Sequence, residues 1–581
     1  MNSLTQNLQA FYSKLRSDDL EQELNQYIIN DIVLINRDIV EWDFRVIKNV
    51  VFKERVDIER VEIQNGIYFV NCEFKNGIYF NNVRATSFDS EKNTSNCNVL
   101  FSYCQLTNVV FSKLCRFERG VFFENCKKIE RIYLSNTTIG NGGLKMNNCV
   151  LNDLFHLFAV NGEIAITGCQ LRDGIRFEST TGNFSAINNV FKDDVKFWNI
   201  TCSRSFTLNR NIFEDTFDIK SSRIKNLNIH GDIFHRKGVI ENRDDSNRNI
   251  TTYLDEIYIT ETSFLEGFEF NGMGKSLKKI TLPLSPKCQG VLRIIGWAIN
   301  EAVISGVNQD LKLIFKKISV KRLSFNDFVN YGELNFDRCV AENEKFKRKD
   351  DPDSSIIAVN TELGKAKFTE FDFKSFDFIN FSNVSFDNIE ASNVKWFEEN
   401  QLQINGSFAI SEIASKRKRE IFRQIKQSLK KKGNYIDSLT FQSLEMQSFS
   451  NELKYSPNIL KWEDKLIMLL NTTNNYGLSW WKPTKIILLI TFLIYLIILP
   501  ITVDNLEFGF PRTYVEGNGA LYAVWNNLNI FWQMFNPARR ISIVYGDNIS
   551  GAVYFLDMIH RLILGIFIYQ IIRAFRKFVS K

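Results

Sequence analysis

Phenylalanine recurs with a period of five residues in one part of the chain. The segment "FDFKSFDFINFSNVSFDNIE" places Phe371, Phe376, Phe381 and Phe386 at equal intervals. This spacing matches neither the helical period of about 3.6 residues nor the strand period of 2. It fits a four-sided β-helical coil, in which each side of about five residues directs one side chain inward. The pattern therefore predicts a solenoid with a phenylalanine core.

A longer repeat of about 20 residues runs upstream of this segment. Its kernel is a small or polar residue, then any residue, then Leu or Phe, and its copies begin at Cys72, Cys104, Cys149, Cys169, Asn189, Asn211, Asp232 and Thr262. The kernel usually follows Asn, Gly or Thr, which tolerate left-handed turn geometry. One coil per repeat predicts a right-handed parallel β-helix over residues 45–410, after a helical or capping segment over residues 1–44. The repeat weakens between residues 275 and 365.

After residue 410 the apolar period becomes helical. In "ASKRKREIFRQIKQSLKKK", Ile421, Phe422, Ile425 and Leu429 share one face, and "GN" at residue 433 ends the helix before a second one. The pattern predicts a helical hairpin over residues 411–456. Its first helix is strongly basic, with Lys416, Arg417, Lys418, Arg419, Arg423, Lys426, Lys430, Lys431 and Lys432.

Two long apolar segments follow the hairpin. Residues 486–503 carry no charge and are just long enough to cross the hydrocarbon layer of a bilayer. Trp480 and Trp481, beside two lysines, are typical of a membrane interface. The chain is therefore expected to end in a membrane domain over residues 457–581. Its predicted parts are an interfacial helix (458–471), two transmembrane helices (486–503 and 551–575) and an external loop (504–550).

The positive charges near the two spans predict their orientation. Lys482 and Lys485 precede the first span, while Arg573, Arg576 and Lys577 close the second. Because cytoplasmic flanks are enriched in Lys and Arg, both termini are expected in the cytoplasm. The chain is thus predicted to be a multi-pass protein of the cell inner membrane, with its solenoid inside the cell.

Cysteine usage agrees with a cytosolic solenoid. All ten Cys lie at or before Cys339, at core or corner positions of the repeat, and no signal peptide opens the chain. We therefore expect reduced thiols that act as small hydrophobic side chains, not the disulfide framework of a secreted protein. The net charge of only +6 does not favour bulk coating of nucleic acid.

Catalytic chemistry has little support. The four His form no metal-ligand pattern with each other or with Cys, and the chain has no Gly-rich phosphate loop or nucleophile elbow. We expect neither a cofactor nor an enzymatic activity. The alternative is a membrane-anchored saccharide enzyme, because right-handed β-helices also host polysaccharide lyases. Its candidate carboxylates are Asp193, Asp194 and Asp215.

The second span carries polar residues that a simple anchor does not need, namely Asp557, His560, Arg561 and Gln570. Charged side chains in a span are costly and indicate a pore or a buried partner. We predict that these residues face a pore. Asp557 and Arg561 are spaced i, i+4, so an internal ion pair is the alternative. Since one pair of helices cannot enclose an aqueous path, conduction requires a homo-oligomer, with a tetramer expected.

The predicted external loop contains "LYAVWNNLNIFWQMF" (521–535), which can form a short re-entrant or interfacial helix that "NPARR" ends. The next segment, "SIVYGD" (542–547), is similar to the potassium-channel filter pattern T-V-G-Y-G-D, with Val544 in place of the first Gly. We expect a pore that is less selective than a potassium channel.

The order of solenoid, basic hairpin, Trp-flanked spans and basic tail resembles bacterial pentapeptide-repeat and β-helix membrane proteins with a two-span channel-like module. The five-step Phe run, "KKKGNYIDSLTFQSLEM", "NNYGLSWWKP" and "YQIIRAFRKF" carry this resemblance. The chain also looks like the Hailong-type channel effectors of bacterial anti-phage defence. That resemblance implies a partner nucleotidyltransferase whose DNA oligomer binds the effector and controls its opening.

Three functions compete on these grounds. The first is an oligomeric ion channel gated by a nucleotide or single-stranded DNA oligomer that binds the nine basic residues of the first hairpin helix. As alternatives, those residues contact anionic lipid headgroups or are simply solvated. The second function is a membrane-tethered scaffold that recruits proteins and conducts nothing. The third is the saccharide enzyme.

Overall fold

The computed structural model describes residues 6–16, 27–35, 45–64, 66–86, 97–241, 253–342, 354–404, 412–455, 462–502, 524–546 and 549–576. The chain divides into two compact units, Met1–Gln403 and Ile404–Lys581. In the first, a short helix precedes a parallel β-solenoid of about 15 turns. The described part of the second is helical. The predicted fold class is therefore confirmed.

The first unit contains helix α1 (Gln6–Arg16), strands β1 to β44 and one 3-10 turn at Phe373–Ser375. Strands β1 to β16 are Tyr27–Ile29, Val33–Ile35, Arg45–Lys48, Val50–Phe52, Val56–Glu59, Glu62–Gln64, Ile67–Val70, Glu73–Phe74, Ile78–Asn81, Arg84–Thr86, Cys97–Ser102, Gln105–Ser112, Arg116–Phe117, Gly120–Glu124, Lys128–Ser135 and Thr138–Ile139. Strands β17 to β31 are Leu144–Asn147, Val150–Leu151, Phe155–Phe158, Ile164–Thr167, Gln170–Leu171, Ile175–Glu178, Phe184–Ile187, Val190–Phe191, Val195–Trp198, Thr201–Asn209, Ile212–Phe213, Phe217–Lys220, Arg223–His230, Ile233–Phe234 and Gly238–Glu241. Strands β32 to β44 are Tyr253–Thr260, Ser263–Asn271, Ser276–Leu284, Gln289–Ile295, Ala298–Asn308, Asp310–Lys316, Ser319–Asn330, Glu333–Asp337, Val340–Ala341, Ser355–Glu362, Ala366–Thr369, Phe378–Ser385 and Glu390–Ser392.

Each coil stacks on the next through parallel strands in register. Ile175 of β22 aligns with Val195 of β25, which aligns with Phe217 of β28. Side chains alternate along each strand, so an inward residue meets the equivalent residue of the neighbouring coil. The rings of Phe191 and Phe213, for example, stack with centroids 4.7 Å apart. The core is thus a set of columns that run along the solenoid axis.

The five-step phenylalanines point inward as predicted, because all four are at most 6% exposed. The solenoid also continues where the repeat weakens in the sequence. Strands β34 to β39 pair in parallel there, and β38 is 12 residues long. Ile, Leu and Val fill most inward positions in this region, so the coils persist without the corner kernel. The solenoid also starts early, since β1 begins at Tyr27, before the predicted boundary at residue 45.

The coil corners use the turn chemistry that the sequence predicts. Asn71, Asn148, Gly168 and Asn188 each precede a repeat kernel, and their φ angles lie between 53° and 64°. This is the left-handed region, which Asn and Gly adopt at low cost. The kernel residue that follows turns inward. Left-handed corners therefore set the boundaries of each side of the coil.

The cysteines occupy buried positions in the solenoid. Nine of the ten are buried free thiols, and the side chain of Cys97 lies outside the described residues. Several thiols point at backbone carbonyls, as Cys104 Sγ does at Phe69 O, 3.3 Å away. These positions agree with the prediction of reduced core thiols. The cytosolic location remains a prediction.

The second unit contains α2 (Glu412–Lys431), α3 (Tyr435–Tyr455), α4 (Trp462–Thr472), α5 (Trp481–Thr502), α6 (Leu528–Gln533), α7 (Ile541–Tyr545) and α8 (Gly551–Arg576). The helical hairpin is confirmed, with Ile421, Phe422, Ile425 and Leu429 buried. Helices α5 and α8 are long and apolar enough to cross a membrane. Helix α5 begins at Trp481, five residues before the predicted span. Pro483 lies in its first turn, where the missing N–H of proline is tolerated, so the helix can include it.

At one corner of the solenoid, equivalent side chains of successive coils form a hydrogen-bonded column, and this column ends in a buried carboxylate. Asn189 Nδ2 donates to Asn211 Oδ1 (3.0 Å), and Asn211 donates to Asp232 Oδ1 from its backbone N–H (2.7 Å) and from Nδ2 (2.8 Å). Asp232 is completely buried, and burial raises the pKa of its carboxyl to about 7. The folded protein thus binds this proton more tightly than the unfolded chain does.

We expect Asp232→Asn to stabilise the protein above pH 7. As the pH rises from about 4 to about 7, the unfolded chain loses the Asp232 proton while the folded protein keeps it, so the free energy of unfolding falls. Asn removes this titration but loses the hydrogen bond that Oδ2 accepts from the His230 N–H (3.1 Å), so the free energy of unfolding at pH 8 should rise by roughly 1–3 kcal/mol. Chemical denaturation followed by circular dichroism at pH 5 and pH 8 measures the difference.

Asp310→Asn is the matched control, because Asp310 is exposed on β37. It should change stability little, and equally at both pH values. An Asp232→Asn protein that is less stable than the wild type at pH 8 would show that the carboxylate itself is needed by the column.

Candidate functional site

Helices α5 and α8 pack side by side in antiparallel directions. Ile487 of α5 forms a buried cluster with Leu564 and Phe567 of α8. Further along, Thr491 Oγ1 lies 3.0 Å from His560 Nε2. Thr491 is the eleventh of the 22 residues of α5, which is about 33 Å long at 1.5 Å per residue. The Thr491–His560 contact therefore marks the middle of the apolar helix pair.

The segment between the two helices enters the pair and returns. Phe531 of α6 packs against Tyr495, near the end of α5, with ring centroids 5.7 Å apart. Four residues later, Phe535 packs against the deeper cluster that contains Ile487. Tyr545 of α7 then packs again in the cluster that contains Tyr495. Residues 524–546 are thus re-entrant, and the turn between α6 and α7, residues 534–540, is their deepest part.

A buried charge cluster holds this turn. Asp557 of α8 has no exposed side-chain surface, and the side chain of Arg539 is 2% exposed. Arg539 Nε donates to Asp557 Oδ1 (2.9 Å), Tyr545 Oη donates to the same oxygen (3.1 Å), and Arg561 Nε donates to Oδ2 (2.6 Å). One carboxylate is therefore shared by two guanidinium groups and a phenol.

The two arginines also bind the backbone of the turn. Arg539 donates from Nη1 to Met534 O and Asn536 O, and Arg561 donates to Pro537 O (3.3 Å) and Arg539 O (2.8 Å). These carbonyls lie outside helices and strands, and all four accept from arginine side chains; Asn536 O also accepts from the backbone N–H of Arg539 (3.2 Å). The cluster thus fixes an irregular turn in the middle of two apolar helices.

The cluster continues to α5 through His560, which is buried. Arg539 Nη2 lies 3.0 Å from His560 Nδ1 and can only donate, so Nδ1 accepts. His560 Nε2 therefore carries the proton and donates to Thr491 Oγ1. A continuous polar chain joins the turn, α8 and α5.

The outer side of the turn is exposed. Asn536, Pro537, Ala538 and Arg540 all have exposed side chains, although they lie at the depth of the cluster. Arg540 forms no ion pair with any residue that the structure describes. The turn therefore presents polar groups and a positive charge away from its own chain. We call residues 536–540 the re-entrant tip.

Three of the four predicted pore residues belong to this cluster, and the i, i+4 ion pair of Asp557 and Arg561 is present. In the single chain Asp557 and His560 are buried and Arg561 is half-buried. Gln570 lies elsewhere, buried against the Asn474 side chain. Their pore-facing role remains a prediction. Sequence reasoning missed Arg539, although an Arg pair between two apolar segments was a usable signal.

The potassium-filter similarity does not extend to conformation. Residues 542–545 of "SIVYGD" are helical in α7, whereas Asp547 lies outside the described residues. Helical carbonyls point along the helix axis toward backbone N–H groups, so they do not form a ring of ion ligands. The similarity of this segment to the filter pattern is therefore one of sequence alone, and the expectation of a less selective pore stays a prediction.

Some of the predicted ligand-binding residues are paired within the hairpin. Arg419 Nε lies 3.1 Å from Glu452, and Lys426 Nζ lies 2.5 Å from Glu445, both on α3. Arg423 pairs with Glu420 on its own helix. The two pairs with α3 support the packing of α2 against α3, and all three partly neutralise the positive charge of α2.

The remaining basic residues of α2 are more exposed. Lys418 is half-buried, and the exposed residues are Lys416, Arg417, Lys430, Lys431 and Lys432. They lie at both ends of the helix, and 14 residues, about 21 Å, separate Lys416 from Lys430. An extended anionic oligomer can bridge this distance, whereas a single phosphate group cannot.

The carboxylates considered for a saccharide enzyme have local structural roles. Asp193 accepts a hydrogen bond from the backbone N–H of Asp194 (2.7 Å), and Asp215 accepts one from Thr216 (2.7 Å). Asp194 forms an ion pair with Lys196. Among the described residues, no group of three or more His, Cys, Asp or Glu could hold a metal ion.

No protein-family model, curated protein or solved structure matches the chain. The candidate functional site is therefore assigned from the chain's own residues, as the re-entrant segment with its charge cluster.

We expect Asp557→Asn to destabilise the second unit by roughly 3–5 kcal/mol, because it leaves two guanidinium groups without their carboxylate. The double variant Asp557→Asn with Arg539→Gln should cost less than the sum of the single changes, since the two side chains contact each other. Chemical denaturation in detergent, followed by tryptophan fluorescence, measures all three variants. Arg540→Gln is the matched control and should leave stability unchanged. Strict additivity would contradict the importance of the pair.

Proposed function

We propose that the chain is one subunit of an oligomeric membrane ion channel. In this proposal α5 and α8 span the bilayer, and several copies surround an aqueous path lined by the re-entrant tip. The observation that carries the proposal is the exposure of a polar, irregular turn at the middle of two apolar helices.

Polar groups are costly in hydrocarbon. Irregular backbone at membrane depth is tolerated only where protein buries it or where it lines a water-filled cavity. The inner side of the turn is buried by the charge cluster, but Asn536, Ala538 and Arg540 are exposed. A charged side chain that faces lipid at this depth costs several kcal/mol. Neighbouring copies around water remove that cost, whereas a lone anchor does not.

The proposed ligand site is the exposed part of the basic helix α2. Lys416 and Arg417 near its start and Lys430 to Lys432 at its end carry positive charge that the hairpin leaves accessible. Phosphate groups bind such side chains mainly by releasing counterions. The separation of the two groups favours an oligomer over a mononucleotide. We infer that an anionic oligomer, with single-stranded DNA as the leading candidate, controls opening.

The finer assignment comes from the resemblance to Hailong-type effectors. On that basis a partner nucleotidyltransferase makes the oligomer, the assembly is a tetramer in the inner membrane, and both termini are cytoplasmic. The biological role is anti-phage defence, in which opening depolarises the infected cell. Each of these statements is part of the proposal and depends on the channel function itself.

We expect the purified protein to carry ion flux across liposome membranes in at least one of two conditions, with or without a single-stranded oligonucleotide. Ala538→Cys places a thiol on the tip, and a small water-soluble thiol reagent should reduce the flux of this variant by at least about half. Fluorescent ion indicators inside the liposomes measure both effects.

Leu493→Cys is the matched control, because Leu493 is 50% exposed on α5, two residues from Thr491. It lies at the same depth on an apolar face, so the reagent should not affect it. Absence of flux in both conditions would refute the channel, and equal inhibition of the two variants would refute the tip as its lining.

We expect the triple variant Lys416→Ala, Arg417→Ala and Lys430→Ala to bind single-stranded oligonucleotide more weakly than the wild type. If each residue contacts one phosphate, the slope of log K against log salt should become shallower by about 2, at roughly 0.7 per contact. Fluorescence anisotropy at several salt concentrations measures binding.

The control removes three exposed lysines from the solenoid, Lys53, Lys237 and Lys365, with the same change in net charge. It should retain wild-type affinity and slope. If both triple variants bind equally well, the helix is a solvated or lipid-facing surface, and the oligomer acts elsewhere.

A further inference from the structure

The re-entrant tip has an excess of positive charge. Within residues 524–546 and 549–570, the acidic residue is Asp557, and the basic residues are Arg539, Arg540 and Arg561. Asp557 is shared by Arg539 and Arg561, so the buried cluster keeps a net charge of about +1 at neutral pH, with His560 neutral. Arg540 adds a second positive charge outside the cluster.

Two arginines carry this positive charge to the surface, although Arg561 also forms an ion pair with Asp557. Arg540 is exposed, and the side chain of Arg561 is 29% exposed. Arg561 also lines a cavity of about 550 Å³ together with Ile541, Tyr554 and Met558. Asp557 also belongs to its wall, but both carboxylate oxygens accept hydrogen bonds from arginines, and the rest of the wall is mainly apolar. Space, positive charge and donors therefore occur together beside the tip.

The geometry points to a channel that selects small inorganic anions, such as chloride, through Arg540 as the charged constriction and Arg561 as a second contact. This inference rests on the proposed channel function and names the ion class that it conducts. Rings of Arg or Lys are the means by which pores favour anions, just as rings of Asp or Glu favour cations. Copies around an axis turn each Arg540 into a member of such a ring.

The local environment strengthens the effect. Low-dielectric walls increase the field of a charge compared with bulk water, and clefts lined by charge of one sign concentrate the opposite ion by about tenfold or more. Arg540 lies beside the apolar pair α5 and α8, and the guanidinium remains charged over the physiological pH range. The selectivity should therefore change little between pH 5 and pH 9.

The first test compares two thiol reagents of similar size, one anionic and one cationic, on Ala538→Cys in liposomes. The native cysteines are treated as background by subtracting the labelling of wild-type protein. We expect the anionic reagent to react about tenfold faster. Adding Arg540→Gln should abolish this preference, and adding Arg540→Lys should keep it. Ser542→Cys, also exposed, is a second reporter if the Ala538 variant does not assemble.

The outcomes separate this inference from the proposed function. If neither reagent reacts, the tip is not in water and the channel proposal itself fails. If both react equally, or the cationic one reacts faster, the tip is in water but anion selectivity is refuted. A preference that survives Arg540→Gln would refute the assignment to Arg540. As a second measurement, the reversal potential in a potassium chloride gradient should follow chloride in the wild type and shift toward potassium in Arg540→Glu.

Discussion

Both units of this protein are shaped by one constraint, which is that backbone N–H and C=O groups removed from water need partners. The solenoid meets it with parallel ladders that pair every coil with the next. Helices α5 and α8, which are long and apolar enough to cross a membrane, meet it with their own backbone hydrogen bonds. The turn between α6 and α7 cannot do so. Arg539 and Arg561 supply its missing donors, and Asp557 holds both arginines in place.

The same constraint explains the change of residue type along one solenoid corner. At this position Cys149 donates its backbone N–H toward Cys169 Sγ (3.4 Å), and Cys169 donates toward Asn189 Oδ1 (2.8 Å). A Cys side chain fits this site because it is small and weakly polar, whereas an Asn side chain adds N–H donors that reach the next coil. Asp232 accepts from Asn211 but has no proton of its own to give unless it is neutral. Burial therefore favours its protonated form.

The sequence predicts the fold better than the site because the two depend on different signals. The five-residue period and the turn residues recur in many coils, so the inward orientation of Phe371 and its equivalents could be predicted from spacing alone. The site depends on a contact between Arg539 and Asp557, which lie 18 residues apart with a turn and a helix between them. The sequence spacing predicted only the i, i+4 ion pair of Asp557 and Arg561. The solenoid between residues 275 and 365 was less evident, because aliphatic residues fill its core without a kernel.

In the proposed channel, a ligand at the hairpin influences the tip only through contacts whose energy differs between open and closed states. Within the second unit such contacts exist. Leu453 of α3 packs with Met468 and Tyr476, and Arg573 of α8 donates to Asn471 Oδ1 (2.7 Å). Asn474 also binds Gln570. Helix α8 is continuous from these residues to Asp557, about 20 Å away along its axis. A movement of one end of the helix can therefore be transmitted to the other end. Gln570 thus takes part in the contact between α8 and the segment that follows α4, and its pore-facing role stays a prediction.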